Sequence, residues 1–187
     1  MWLWREFSDL TLVSSPIHRM QNHFALFDLP LTFELDRTRL DTAYREVQST
    51  VHPDKFVRAN EAEKRVAMQW ATQANEAYQT LKDPLKRATY LCQLNGVDLQ
   101  TESNTSMPAA FLMQQMEWRD AFDEARHAGD TQAMFNLEKE LQAAFKSQLN
   151  KVAAALNKTD FLEAGQEIRA CLFLEKFLSD IADWDAP

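Results

Sequence analysis

The chain has 187 residues, 45% of them hydrophobic and 26% charged, which is enough for one domain or two small ones with a real core. Its three glycines, each at the predicted end of a helix, argue against a β-sandwich, a β-barrel or a Gly-rich phosphate loop and favour an all-α fold. Residues 1–95 carry 12 basic and 12 acidic side chains, whereas residues 96–187 carry 8 and 16. This imbalance predicts two modules with different surfaces and weighs against nucleic acid, whose phosphates need a basic face.

The cysteines and the hydropathy pattern indicate the compartment. Cys92 and Cys171 are far apart and form no CxxC pair, which excludes a cysteine zinc site and predicts small buried thiols in a reducing compartment. No apolar run reaches the roughly 18 residues of a membrane span. Residues 1–21 are interrupted by charges and lack the apolar core of a signal peptide. We therefore predict a poorly ordered N-terminal extension and a cytoplasmic protein without a membrane partner.

The first module is predicted to be a helical hairpin over residues 22–96, after a short apolar segment at residues 23–30. Helix-start signals precede three helices: Asp36, Asn60 with Glu63, and Asp83 with Pro84. The apolar stripes of the two long helices are Leu40, Tyr44, Val47 and Val51 on one, and Ala67, Ala71, Ala74, Tyr78 and Leu81 on the other. Because the connection between them is short, we expect an antiparallel pair.

A polar linker, residues 97–107, separates this hairpin from a second module at residues 108–187. Three helical runs are predicted there: residues 108–128, ended by Gly129; about 131–157, capped by Asp130; and from Asp160, with Glu163 as its capping-box partner, to about residue 183. Short loops between long helices specify an up-down-up three-helix bundle.

The tripeptide His52-Pro53-Asp54, followed by Lys55, lies at the tip of the predicted hairpin. Pro53 fixes its own backbone and pushes His52 out of helical geometry, so the loop is stiff. A stiff loop that presents an imidazole and a carboxylate loses little entropy on docking, which suits recognition of a partner. The alternative is an ordinary helix terminator in which Asp54 caps a turn.

Several segments together resemble a J domain, the co-chaperone module that stimulates ATP hydrolysis by DnaK-type chaperones. They are HFALFDLP, VHPDKF and QANEAYQTLKDPLKRATYL. With AAFLMQQMEWR and IRACLFLEKF added, the chain resembles the HscB family, the J-proteins of iron–sulfur cluster assembly, from about residue 22 to 182. The extra cysteine-rich segment of mitochondrial relatives is not matched, which weighs against a metal site. We expect a bacterial cytoplasmic protein.

This resemblance implies that the tripeptide and Lys55 engage the ATPase of a DnaK/HscA-type chaperone. J domains usually add basic residues from the preceding helix, and here that helix offers Arg37, Arg39 and Arg45, of which Arg45 is our candidate. The QSTV segment directly before the loop departs from the family pattern, because it carries no positive charge.

The predicted helix at residues 108–128 is apolar on two sides. Its bulkier stripe should face the bundle core and consists of Phe111, Gln115, Trp118, Phe122 and Ala125. The opposite side, apolar at its start and acidic along its length, carries Leu112, Met113, Met116, Glu117, Asp120 and Glu124. We interpret this side as an interface; the alternative is that Leu112 and Met113 pack under the linker.

The final helix shows a similar division. Ala164, Ile168, Cys171 and Leu172 are predicted to face the core, whereas Phe173 and Phe177 point elsewhere. In the HscB family the C-terminal bundle binds the cluster scaffold, an IscU-type protein. The resemblance assigns that contact to Leu112, Met113, Met116, Glu117, Asp120, Glu124 and Phe173.

Catalysis and metal binding are not favoured by the sequence. An enzyme would use His52 and Asp54 as an acid–base pair, but neighbours across a proline rarely converge on one substrate, and no further cluster completes a site. The four histidines have no ligand spacing, so neither a metal nor a cofactor is predicted. The alternative that remains open is a J-protein adaptor for a different client protein.

Overall fold

The computed structural model describes residues 22–51, 55, 59–99 and 107–184, which contain seven helices and no strand. The helices are α1 (His23–Leu26), α2 (Arg37–Val51), α3 (Glu61–Lys82), α4 (Pro84–Leu94), α5 (Ala109–Ala128), α6 (Thr131–Asn157) and α7 (Phe161–Ala182). The all-α prediction is confirmed. The predicted N-terminal extension, the His52-Pro53-Asp54 tripeptide and most of the linker lie outside the described residues.

Helices α2 and α3 begin where the sequence predicts, because polar side chains satisfy their first backbone N–H groups. Asp36 Oδ1 accepts the N–H of Thr38 at 2.8 Å and that of Arg39 at 3.3 Å. Asn60 and Glu63 form the predicted capping box: the Glu63 N–H donates to the Asn60 side chain at 2.9 Å, and the Asn60 N–H donates to the Glu63 carboxylate at 3.1 Å. These bonds replace the intrahelical partners that the first turn lacks.

Helices α2 and α3 pack as the predicted antiparallel pair. Arg37 Nη1, at the start of α2, donates to the carbonyl oxygen of Lys82, at the end of α3, at 3.4 Å. Further along, the rings of Tyr44 and Tyr78 stack with centroids 4.1 Å apart. The Tyr44 hydroxyl also donates to Asn75 Oδ1 at 2.7 Å. Contacts between the start of one helix and the end of the other require opposite directions.

The predicted stripes of these two helices form only part of their interface core. The buried members are Leu40, Val51, Ala67, Ala74 and Leu81, while Tyr44, Val47, Ala71 and Tyr78 are half-buried. Tyr78 stays near the surface because its hydroxyl donates to Asp41 Oδ1 at 2.9 Å. Helix α1 packs against α3 and buries Phe24 and Leu26.

The chain forms two compact units that divide between Arg87 and Ala88, inside α4. The sequence instead ends the first module at residue 96, because a polar linker can be recognised from composition alone. The later part of α4 packs on the start of α7, where Cys92 Sγ lies 3.8 Å from the carbonyl oxygen of Phe161. The module limits 22–96, 97–107 and 108–187 stay a prediction.

Gly165 lies inside α7 and not at the end of a helix, which corrects the sequence interpretation. A Cβ at this position would come within 3.1 Å of methyl carbons of Val97 and of Leu99. The glycine therefore allows the chain after α4 to approach α7 closely. Gly96 and Gly129 do follow helix ends, with φ of 77° and 64°.

The boundaries of α5, α6 and α7 also follow local signals. Gly129 ends α5 in the left-handed conformation, and the Asp130 side chain caps α6. Asp160 caps α7 by accepting the Glu163 N–H at 2.9 Å. The reciprocal half of that predicted capping box is not formed, because the Asp160 N–H already donates to the carbonyl oxygen of Ala155 at 3.0 Å.

One apolar cluster holds the three-helix bundle together. Its buried members are Trp118, Ala125, Met134, Leu137, Leu141, Leu174, Phe177 and Ile181, with Phe111 and Phe122 packed against them. The core stripe predicted for α5 is therefore confirmed, with Gln115 half-buried at its edge.

The prediction for α7 is wrong at three positions. Ala164, Ile168 and Cys171 are buried as expected, but Leu172 is only half-buried. Phe177 belongs to the core, and Phe173 packs partly buried against it. The reason is that α7 has two neighbours: one face packs on α6, while the two phenylalanine rings meet the aromatic side chains of α5.

Candidate functional site

Six of the seven residues predicted to bind a scaffold protein lie exposed on α5. Leu112, Met113 and Met116 have exposed fractions of 44%, 65% and 66%. Glu117, Asp120 and Glu124 are exposed beside them. We call these six residues the α5 outer face. An apolar group of this size with a carboxylate rim is the composition expected of a protein interface.

The α5 outer face is exposed because the opposite side of the helix is anchored in the core. Trp118 and Ala125 are only 6% and 4% exposed. The indole Nε1 of Trp118 donates to Glu140 Oε1 of α6 at 2.7 Å, which fixes the rotation of α5 about its axis. At about 100° per residue, Met113 and Met116 then point away from the bundle.

The rim of this face is acidic, and no carboxylate there is paired with a described cation. Glu117 accepts a hydrogen bond from Gln114 Nε2 at 3.0 Å. Asp120, Asp123 and Glu124 surround a shallow depression with His127. In the described part of the chain, no three His, Cys, Asp or Glu side chains are placed to hold a metal ion. The arrangement offers negative charge to a basic partner surface.

Phe173, the seventh predicted residue, lies at the contact between α7 and α5. Its ring meets Phe111 and Phe177 edge to face, with centroids 6.0 and 5.8 Å away. The Arg119 guanidinium lies 5.6 Å from its centroid. Phe173 is therefore half-buried and not freely exposed, because it packs against the core of the bundle.

Sequence reasoning missed Arg119, although a signal was present. It is the one cation in the stretch from Glu117 to Glu124, which otherwise carries four carboxylates. A lone arginine among carboxylates can be singled out from the sequence, and its planar guanidinium suits stacking on an aromatic ring.

The residues predicted to engage a chaperone ATPase are described only in part. Arg45 is exposed, and its Nε donates to the carbonyl oxygen of Asp41 at 3.1 Å. Lys55 is exposed as well. Arg37 is already paired with Asp41 at 2.9 Å, which leaves Arg39 and Arg45 as the exposed cations of α2 without an ion pair among the described residues.

The two cysteines are unpaired and buried, as the sequence predicts. Burial raises the pKa of Cys92 to about 11 and that of Cys171 to about 12. Both thiols are therefore protonated at neutral pH and poor nucleophiles. Among the described helices, none is long and apolar enough to cross a membrane.

Comparison with known sequences shows which proteins this chain resembles. Residues 107–182 match the family model described as "HSCB C-terminal oligomerisation domain". The chain is 51% identical over 160 residues to the "Co-chaperone protein HscB homolog" of Paraburkholderia xenovorans. The aligned residues cover 86% of this chain and 91% of that protein. The protein of the same name from Ralstonia nicotianae is 51% identical over 162 residues, 86% and 92% of the two chains.

Solved structures show the same architecture. "Chaperone HscB from Vibrio cholerae" is 35% identical and matches with a TM-score of 0.75 over 87% of this chain and 96% of its own. Human co-chaperone protein HscB is 28% identical and matches with a TM-score of 0.81 over 91% and 83% of the two chains. An all-helical chain with an N-terminal J domain and a C-terminal helical bundle is a J-protein co-chaperone. This chain belongs to the HscB co-chaperone family.

Proposed function

We propose that this chain stimulates the ATPase of a DnaK/HscA-type chaperone through His52, Pro53 and Asp54, and delivers to it an IscU-type iron–sulfur scaffold protein bound on the α5 outer face. The chain acts as an adaptor in the bacterial cytoplasm and is not itself an enzyme. Membership of the HscB family supports the co-chaperone role. The exposed apolar and acidic residues of α5 support the second half of the proposal.

The observation that carries the scaffold site is the exposure of Leu112, Met113 and Met116 on one helix that is otherwise anchored in the core. Burying a leucine or methionine side chain contributes about 1.5–3 kcal/mol when it leaves water. Methionine also adapts its shape to a partner, because it is unbranched and has three rotatable bonds. The three side chains together can supply the desolvated centre of an interface.

Glu117, Asp120 and Glu124, which form the acidic rim, have a different role from the three apolar residues. Exposed charges at an interface edge contribute little net affinity, but they steer a partner of opposite charge during its approach. Residues 96–187 carry twice as many acidic as basic side chains, so the field of this half of the chain favours a basic partner.

A titration of an IscU-type scaffold protein into the chain tests the proposal. The double variant L112A/M113A is expected to weaken binding by about 100-fold or more, since each truncation of a central residue costs at least about 1.4 kcal/mol. L162A is the matched control, because Leu162 is also a leucine and is 73% exposed, but lies at the start of α7. It should bind like the unmodified chain.

Two results would contradict the proposal. The unmodified chain could stimulate the chaperone without binding the scaffold, and the chain would then be an adaptor for a different client. In that case the proteins captured from lysate by the unmodified chain and by the double variant would differ. If L112A/M113A binds the scaffold normally, the α5 outer face is not the site.

A further inference from the structure

Arg119 occupies an unusual electrostatic position on α5. Glu117 lies two residues before it, Asp120 directly follows it, and Asp123 and Glu124 lie one turn further on. Yet Arg119 forms none of the ion pairs seen among the described residues. Its placement is therefore not explained by charge neutralisation on its own helix.

The contacts of the Arg119 guanidinium are with two aromatic rings of α7. Its central carbon lies 5.6 Å from the ring centroid of Phe173 and 5.9 Å from that of Phe177. The two rings meet each other edge to face at 5.8 Å, and Phe173 also meets Phe111 of α5 at 6.0 Å. Arg119 therefore covers a short aromatic row at the contact between α5 and α7.

Arg119 also borders the α5 outer face. It follows Met116 by three residues, so the two are neighbours on the helix surface, and it lies two turns after Leu112 on the same side of the helix. Phe177 is buried in the core, whereas Phe173 is only half-buried. A planar guanidinium over the Phe173 ring restricts that ring by cation–π attraction and by stacking.

We propose that Arg119 is a positioning residue that holds the Phe173 ring in the orientation in which the α5 outer face binds the scaffold. This inference rests on the proposed function. Ordering Phe173 before binding reduces the entropy lost on docking, so Arg119 slows dissociation of the complex without contacting the scaffold itself.

Electrostatics alone predicts the opposite effect. The scaffold surface that fits an acidic rim is basic, so the charge of Arg119 repels it, and removing that charge should speed association. A positioning role instead predicts faster dissociation when the cation–π contact is lost. The two rate constants therefore separate the two explanations.

The experiment measures association and dissociation of an IscU-type scaffold with the full chain by stopped flow. R119M keeps the apolar stem and removes the cation; it should dissociate about 3- to 10-fold faster. R119K keeps the charge with weaker stacking and should recover part of the slow dissociation. Thermal unfolding should confirm that each variant is folded.

Arg126 supplies the matched control, because it lies two turns after Arg119 on α5, is exposed, and has no ring contact among the described residues. R126M removes the same charge. It should change the association rate as R119M does and leave the dissociation rate unchanged. In a chain that already carries F173L, R119M should change dissociation less than about 2-fold, since the partner ring is gone.

A second measurement needs no scaffold. A fluorinated phenylalanine at position 173 should give a ¹⁹F resonance that shifts and changes width in R119M, shifts less in R119K, and stays unchanged in R126M. Failure of the unmodified chain to bind the scaffold would overturn the proposed function. Normal binding with unchanged dissociation of R119M, or a Phe173 resonance insensitive to Arg119, would overturn only the role of Arg119.

Discussion

The indole of Trp118, on the core side of α5, donates a hydrogen bond to the carboxylate of Glu140 of α6 at 2.7 Å, in addition to the apolar contacts between the two helices. It sets the direction in which the opposite side of α5 points. Surface chemistry on the outer face thus depends on a polar contact on the inner one.

Replacing Trp118 by phenylalanine is expected to lower the free energy of unfolding by about 1–3 kcal/mol. The change removes the hydrogen-bond donor and part of a buried aromatic side chain. Denaturant unfolding followed by circular dichroism measures it. E138Q is the control, since Glu138 accepts a hydrogen bond from Gln142 within α6, whereas the Trp118 indole donates to Glu140. Equal midpoints for W118F and the unmodified chain would show that the bond is dispensable.

Neutralising the acidic rim with E117Q, D120N and E124Q should slow scaffold association and flatten its dependence on salt. Rim charges act mainly during the approach of the partner, so dissociation should change little. Stopped-flow binding at two ionic strengths gives both rates. A chain with E34Q, E138Q and E163Q loses the same charge from exposed or half-exposed positions elsewhere. If the control slows association to a similar extent, the effect is due to the net charge of the chain and not to the position of the rim.

His52→Gln or Asp54→Asn should abolish stimulation of a DnaK/HscA-type ATPase while scaffold binding stays normal. The tripeptide belongs to the first of the two compact units, and the α5 outer face belongs to the second. R45Q should reduce stimulation a few-fold, because Arg45 offers an exposed charge on α2; R65Q, on α3, is the control. Steady-state ATP hydrolysis measures all four. Full stimulation by both tripeptide variants would reject the assignment.

The buried thiol of Cys171 should make stability fall at alkaline pH. Burial raises its pKa from 9.0 to about 12, so the folded chain holds the proton more tightly than the unfolded chain. The contribution of this proton to the free energy of unfolding is complete below pH 9. It is lost as the pH rises toward the pKa of the folded chain, by up to about 1.4 kcal/mol per pH unit. The difference in unfolding free energy between the unmodified chain and C171A should therefore shrink from pH 8 to pH 11. A constant difference would contradict it.

Local signals account for the parts of the fold that the sequence predicts well. Asp36, Asn60 and Asp130 begin their helices because each satisfies amide groups only two or three residues away. The core stripe of α5 can also be predicted from the sequence, because this helix buries a single side against one apolar core. Such contacts need no knowledge of distant chain segments.

Long-range contacts explain what the sequence does not reveal. The sequence places Phe173 and Phe177 away from the core because a single apolar stripe describes a helix with one neighbour, whereas α5 and α6 cover two faces of α7. The contact of Arg119 with Phe173 joins residues more than fifty positions apart, and Gly165 is explained only by Val97 and Leu99 beside it. Helical periodicity carries no information about these partners.

The thioethers of Met113 and Met116 make the α5 outer face vulnerable to oxidants. Both are exposed by about two thirds, while Met134 in the core is 3% exposed and the two thiols are buried. Peroxide converts an exposed methionine into a polar sulfoxide, which no longer suits a desolvated interface. Mild oxidation should therefore leave the helical content intact and weaken scaffold binding, and a methionine sulfoxide reductase should restore it. Met68, 62% exposed on α3, would be oxidised too, so M113L/M116L should bind normally after the same treatment. If the chain binds the scaffold as proposed, oxidative stress would release the scaffold before it unfolds the chain.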